Sequence, residues 1–197
     1  MLQDTIPTKD FLRFLSLAAG TASPEFEDAS TYRGLFAEIA ELTSSGPSAR
    51  HVLSALPRMI GQRFERRGWA WNGYYVARED ASALDLGHAF GPPVCTPLDR
   101  NGGILASGMC WDAILANQAL LAEDVGQWPG YVSCDNKSGL TTAAGLVCPI
   151  RDATGRPVGV WDLDAHGALT ASDLRAMGAL FSTLSRTWPI RAADLLP

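Results

Sequence analysis

Four cysteines are the residues here with the greatest capacity for chemistry: Cys95, Cys110, Cys134 and Cys148. The first three fall in an irregular middle stretch near Pro or Gly, where reactive groups concentrate on loops. No CxxC pair is present, so a structural zinc site has little support. A thiol set of this kind can run a redox cycle. One thiolate attacks and becomes a sulfenic acid, a second thiol condenses with it to a disulfide, and an external dithiol reduces the bridge. Cys148 lies in a strand-like run with Leu146 and Ile150 at the same parity and reads as a core residue. For Cys134 alone, a small buried filler is the competing reading, because free Cys is among the most buried residue types.

Asp162 and Asp164 form the second candidate. They share parity in a strand-like segment, so both project from one face. Two like charges on one face repel unless a cation lies between them. An ammonium group, a metal ion or an arginine would serve; exposed strand-end acids are the alternative. His166 next door reads as a loop residue. Trp71 and Tyr75 are four apart in another strand and share a face, on which the same parity places Trp69 as well. They are either an aromatic core stripe or the wall of a pocket. The stretch Asp124–Asp135 (DVGQWPGYVSCD) has neither helical nor alternating periodicity. It presents Trp128 and Tyr131 and ends on Cys134, so it reads as a loop forming part of a pocket wall.

Composition narrows the setting. A net charge of −5 and a pI of about 5.1 provide no basic field for nucleic acid. The local cluster Arg63, Arg66 and Arg67 reads as a solvated helix end. The apolar run Phe11–Ala19 is interrupted by Arg13 and too short to span a bilayer. It also lacks the basic flank of a signal peptide. A cytoplasmic protein is expected, in which four cysteines do not make a structural disulfide framework.

The candidate residues need elements to hold them. Helices are expected over 8–20, about 30–43, and from near Ser48 to just before Gly68, the last kinked or divided at Pro57. Residues 21–30 are a polar linker. Strands follow over Trp69–Ala77 and Leu84–Phe90, with a bulge or close backbone approach at Gly73. Residues 94–108 read as mostly loop, Met109–Gln118 as a short helix and Leu120–Ala122 as a short strand. Ala143–Arg151 and Arg156–Ala165 form a hairpin. Thr170-x-x-Asp173 resembles a capping box that opens a closing helix, ended by Pro189. Strands close in sequence and mostly joined by turns imply an α+β domain around an antiparallel sheet.

Several of these segments resemble, in one order over about residues 48–188, the free methionine-(R)-sulfoxide reductases, which are GAF-domain enzymes. They are Trp71-Asn-Gly-Tyr-Tyr75, Cys95 after Pro92-Pro93-Val94, Gly108-Met-Cys110, the ungapped loop Asp124–Asp135, and Val160-Trp-Asp162-Leu-Asp164. The resemblance implies a GAF-like antiparallel sheet of about six strands flanked by helices over 46–197, with 1–45 an N-terminal helical extension. It implies a homodimer, a small-molecule sulfoxide as substrate, a thioredoxin-like reductant, and no cofactor or metal. Cys134 would attack, Cys95 would resolve, and Cys110 would be the third, assisting thiol. Trp71 and Tyr75 would line the methyl-sulfinyl pocket with the Trp128 and Tyr131 loop beside them. Asp162 and Asp164 would hold the substrate ammonium. The chain departs from the family in having no Asp or Glu between Asp135 and Asp152, and Tyr131 where the family has His. A ligand-binding GAF module that has lost the reaction, or an enzyme of other chemistry with a metal held by Cys, Asp and His166, are the alternatives.

Overall fold

The computed structural model describes residues 29–135 and 139–197. The expected helix over 8–20 and most of the 21–30 linker lie outside the described residues. Helix α1 (Ala29–Ser44) is followed by α2 (Ala49–Phe64). Ser48 caps α2 by accepting from the His51 amide, which is where the sequence places the start. Helix α2 carries Pro57 without being divided. A 3-10 turn, Glu65–Arg67, leads to Gly68 in the left-handed conformation, which ends the helical stretch.

Six strands then build one sheet: β1 (Trp69–Ala77), β2 (Ala83–Phe90), β3 (Leu98–Asp99), β4 (Leu120–Ala122), β5 (Ala144–Arg151) and β6 (Pro157–Ala165). Their order is β3-β2-β1-β6-β5-β4, with every neighbouring pair antiparallel. Helix α3 (Met109–Ala116) sits between β3 and β4 in sequence, and α4 (Ala171–Thr187) follows β6 and precedes a closing 3-10 turn, Ala192–Asp194. The capping box at Thr170 and Asp173 forms as the sequence implies. Strand β3 interrupts the otherwise irregular segment 94–108. It is two residues long, too short for a periodicity signal, and Trp111 Nε1 holds it by donating to Leu98 O at 3.1 Å.

The sheet divides two apolar layers. On one face α1, α2 and α4 bury Leu35, Ile39, Leu53, Ile60, Phe181 and Leu184 against Tyr74, Trp161 and Leu163. Cys148 lies in this layer, as expected of a core residue. On the other face α3 and the connecting loops cover Trp71, Tyr75, Val147 and Val160. Trp69 belongs to the helical layer, not to the face of Trp71 and Tyr75. The cause is a bulge: Trp69 faces Ala165 while Trp71 faces Asp164, so two steps along β1 match one along β6. The extra residue reverses the parity. At Gly73 the expected close approach is present, since a Cβ there would sit 2.6 Å from Ala89 Cβ.

Arg67 is not simply solvated. Its guanidinium makes two hydrogen bonds to the buried Asp173 carboxylate, at 2.6 and 3.0 Å, and Tyr32 Oη donates to the same carboxylate at 2.6 Å. Arg63 pairs with Glu38 across α1 and α2.

Candidate active site

The site forms on the sheet face away from α1, α2 and α4. Its floor is β6, where strand alternation points Asp162 and Asp164 to the same side as Val160. Asp164 stands opposite Gly145 of β5 and Trp71 of β1, and Asp162 opposite Gly73. Because Gly145 has no side chain, the floor beside Asp164 stays open, walled by Val125 and Met109. Tyr75 forms one side. It is buried, and its hydroxyl donates to Cys95 O at 2.7 Å, tying β1 to the segment that carries the first loop cysteine.

Cys95 and Cys134 form a disulfide, with Cα atoms 5.4 Å apart. This lies inside the span a disulfide can bridge. It removes the reading of Cys134 as a small apolar filler. Cys95 precedes edge strand β3, and Cys134 ends the loop that follows the opposite edge strand β4. Cys134 lines the same cavity as the two aspartates. Cys110, at the start of α3, is buried, and its Sγ–H donates to Asp162 Oδ2 at 3.3 Å. Burial, then the neighbouring Asp162 charge, push this thiol well above its ordinary range, so it is a protonated donor and not a thiolate.

Cys110, Cys134, Tyr75, Tyr131, Asp162 and Asp164 all line one cavity of about 40 Å³. That volume suits a few atoms rather than a whole amino acid, since ligand pockets commonly run to roughly 300 Å³ or more. Burial is the main cause holding both aspartates above the usual carboxylate range; for Asp164 the charges of Asp162 and Asp135 add to it. A pair of this kind retains a proton at neutral pH until a cation enters.

Two residues expected at the cavity are placed elsewhere. Trp71 is buried and sits behind Tyr75, ring centres 5.8 Å apart, outside the cavity lining. Trp128 also lies outside that lining. Its indole Nε1 donates to Asp112 Oδ2 at 2.8 Å, while Asp112 Oδ1 accepts from the Leu105 amide at 2.6 Å. Asp112 thus joins the two loops that flank the bridge. Sequence reasoning missed it, because a buried acid inside an apolar helical stretch has no local signature. Asp135, next to Cys134, accepts from Thr142 N and Oγ1. His166 faces outward, its Nδ1 2.8 Å from Thr141 O. Among the described residues no group of three His, Cys, Asp or Glu side chains is arranged to hold a metal ion.

The chain superposes on a solved GAF domain with a TM-score of 0.69 and 19% identity, over 93% of this chain and 97% of that one. The fold is that of a GAF domain. The GAF architecture here also matches free methionine-R-sulfoxide reductase from Neisseria meningitidis, solved in complex with its substrate. That match has a TM-score of 0.68 and 22% identity, and covers 85% of this chain and 92% of that chain. By sequence, the chain is 34% identical over 95 residues to protein YtsP of Bacillus subtilis, a match that takes in 48% of this chain and 52% of that protein. The match thus spans about half the length of this curated relative. No protein-family model matches the chain. No helix among the described residues is long and apolar enough to cross a membrane.

Proposed function

We propose that this GAF-fold protein is a thiol-dependent reductase of a small amino-acid sulfoxide, with free L-methionine-(R)-sulfoxide as its substrate. The observation that carries the reading is the Cys95–Cys134 bridge closing a cavity whose floor is Asp162 and Asp164. The likeness in fold to the Neisseria reductase supports it. In the reduced protein, the Cys134 thiolate attacks the sulfinyl sulfur. The sulfinyl oxygen takes up one proton and passes to Cys134 Sγ as the new sulfur–sulfur bond and the sulfur–oxygen bond break, so the thioether departs and Cys134 is left as a sulfenic acid. The Cys95 thiol then displaces that oxygen as water, which forms the bridge. A thioredoxin-like dithiol returns two electrons and two protons. The two aspartates take the substrate ammonium, which offsets their mutual repulsion. Cys110 donates its S–H to Asp162 and keeps that carboxylate oriented. Tyr75 and Tyr131 enclose the methyl-sulfinyl end, and Trp71 holds Tyr75 from behind.

The test is a thiol titration of reduced protein before and after one equivalent of free methionine-(R)-sulfoxide, with the bridge located by peptide mapping. The expected result is loss of two thiols and recovery of a Cys95–Cys134 peptide. Retention of all four thiols, with methionine sulfoxide unconsumed, would sink the reductase reading and leave a GAF module that binds a ligand.

A further inference from the structure

The two sulfurs of the bridge open onto different spaces. Cys134 lines the inner cavity and Cys95 does not. Cys95 lines a second, outer groove of about 270 Å³ with Pro97, Asn101, Leu98, Ser107 and Val132, and Cys134 does not. Leu98, Ser107 and Val132 are common to both linings and form the partition. We propose that a protein dithiol attacks Cys95 from the outer groove, so that Cys134 is the sulfur that leaves, as a thiolate, into the inner cavity.

Displacement at a disulfide is collinear: the entering, attacked and leaving sulfurs lie on one line. Attack on Cys134 would require the entering thiolate to come through the inner cavity. That space is about 40 Å³ and is floored by Asp162 and Asp164. It admits no protein loop. Attack on Cys95 comes through the larger groove. The acid there is Asp99, which is exposed and so screened by solvent.

The rim of the groove fits a protein partner. The large hydrophobics exposed among the described residues are Ile104 at 58%, Leu105 at 46% and Val132 at 46%. All three sit on the two loops around the bridge. Those loops pack on each other: a Cβ on Gly130 would lie 2.5 Å from Leu105 O, and one on Gly108 3.4 Å from Val132 Cγ2. Asp112 fixes Leu105 through its amide. An apolar knuckle beside a reducible sulfur suits a partner with an apolar surface around its exposed cysteine. The step balances. The partner's thiolate bonds to Cys95 Sγ, the S–S bond breaks, and Cys134 departs with the electron pair. The partner's second thiol then attacks its own sulfur in the mixed disulfide and gives its proton to the departing Cys95.

The inference rests on the redox reading for the bridge and its reductant, but its test uses no sulfoxide. Full-length protein is oxidised chemically to the Cys95–Cys134 form and mixed with thioredoxin whose second CxxC cysteine is serine. This probe forms a mixed disulfide and cannot resolve it. The expected cross-link is on Cys95, in at least ~10-fold excess over Cys134, with Cys134 free to alkylate. A cross-link chiefly on Cys134, equal amounts on both, or none at all would overturn the proposal. Ile104→Asp, outside both linings, should slow cross-linking by roughly 10-fold and leave reduction by dithiothreitol unchanged. Equal effects on both reductants would remove the docking role of the rim. Failure of methionine sulfoxide as a substrate would leave both outcomes readable.

Discussion

Asp164 has Asp162 and Asp135 as charged neighbours and no cation supplied by the protein among the described partners. Burial and those charges hold its carboxyl above the usual range. The folded chain therefore keeps a proton that the unfolded chain has already lost above about pH 4. This contribution to stability is full below that pH and is lost as pH rises through the raised pKa. Asp164→Asn removes the conflict. It should raise stability at pH 7.5 by on the order of 1 kcal/mol, or about 2–4 °C in melting temperature, with the gain vanishing near pH 4. The same variant should lose most of its affinity for methionine, because the ammonium has lost a carboxylate. Thermal melts at the two pH values and titration calorimetry check this. A lower melting temperature at pH 7.5 would show that the acid is a structural partner instead.

At the scale of elements, Asp173 behaves in the opposite way. Burial alone would raise its pKa, but hydrogen bonds from Arg67 and Tyr32 hold the carboxyl below the usual range. Through it the end of α2's 3-10 turn, helix α1 and the cap of α4 meet at one point. The pair is well buried, with side-chain exposures of 21% and 1%. Removing one partner of such a pair leaves the other without compensation. Asp173→Asn should cost about 2–4 kcal/mol at pH 7. Because the folded pKa is depressed, the stability that depends on it is present above about pH 4 and lost as pH falls below. The difference between variant and wild type should shrink in urea melts at pH 3. A constant difference across that range would mean that the charge does not contribute. Asp112 plays the corresponding part on the other face, where it joins the loops carrying Leu105 and Trp128.

For the whole molecule, the bridge ties together segments next to the two edge strands of the sheet. The sequence separation is 39 residues, and a loop of that size is constrained in the unfolded chain by about 4 kcal/mol. Reduction should therefore lower the melting temperature. It should also free the 94–97 and 132–135 segments to move apart, enlarging a cavity that is small in the bridged form. Methionine or its sulfoxide should bind the reduced protein at least ~10-fold more tightly than the bridged one, since a closed pocket carries the cost of opening. Calorimetry on the two forms, with Cys95→Ser to prevent re-oxidation, measures this. Equal affinities would show that the bridged cavity already accepts the ligand.

Much of this was legible along the chain, because it depends on short-range rules. The period of two placed Asp162 and Asp164 on one face, Ser48 and Thr170 marked two helix starts, and the thiol-bearing loops stood out as aperiodic. The six-stranded GAF arrangement was legible through motif order. Other features needed the folded chain, because they arise where segments distant in sequence meet. A bulge on β1 sent Trp69 to the helical layer, and no residue type announces it. Packing put Trp71 behind Tyr75 and turned Trp128 toward Asp112. Residue types alone left the choice between Cys95 and Cys110 as the partner of Cys134 open. It was decided by the tertiary structure, which brings the Cα atoms of Cys95 and Cys134 to 5.4 Å while Asp162 engages the Cys110 thiol.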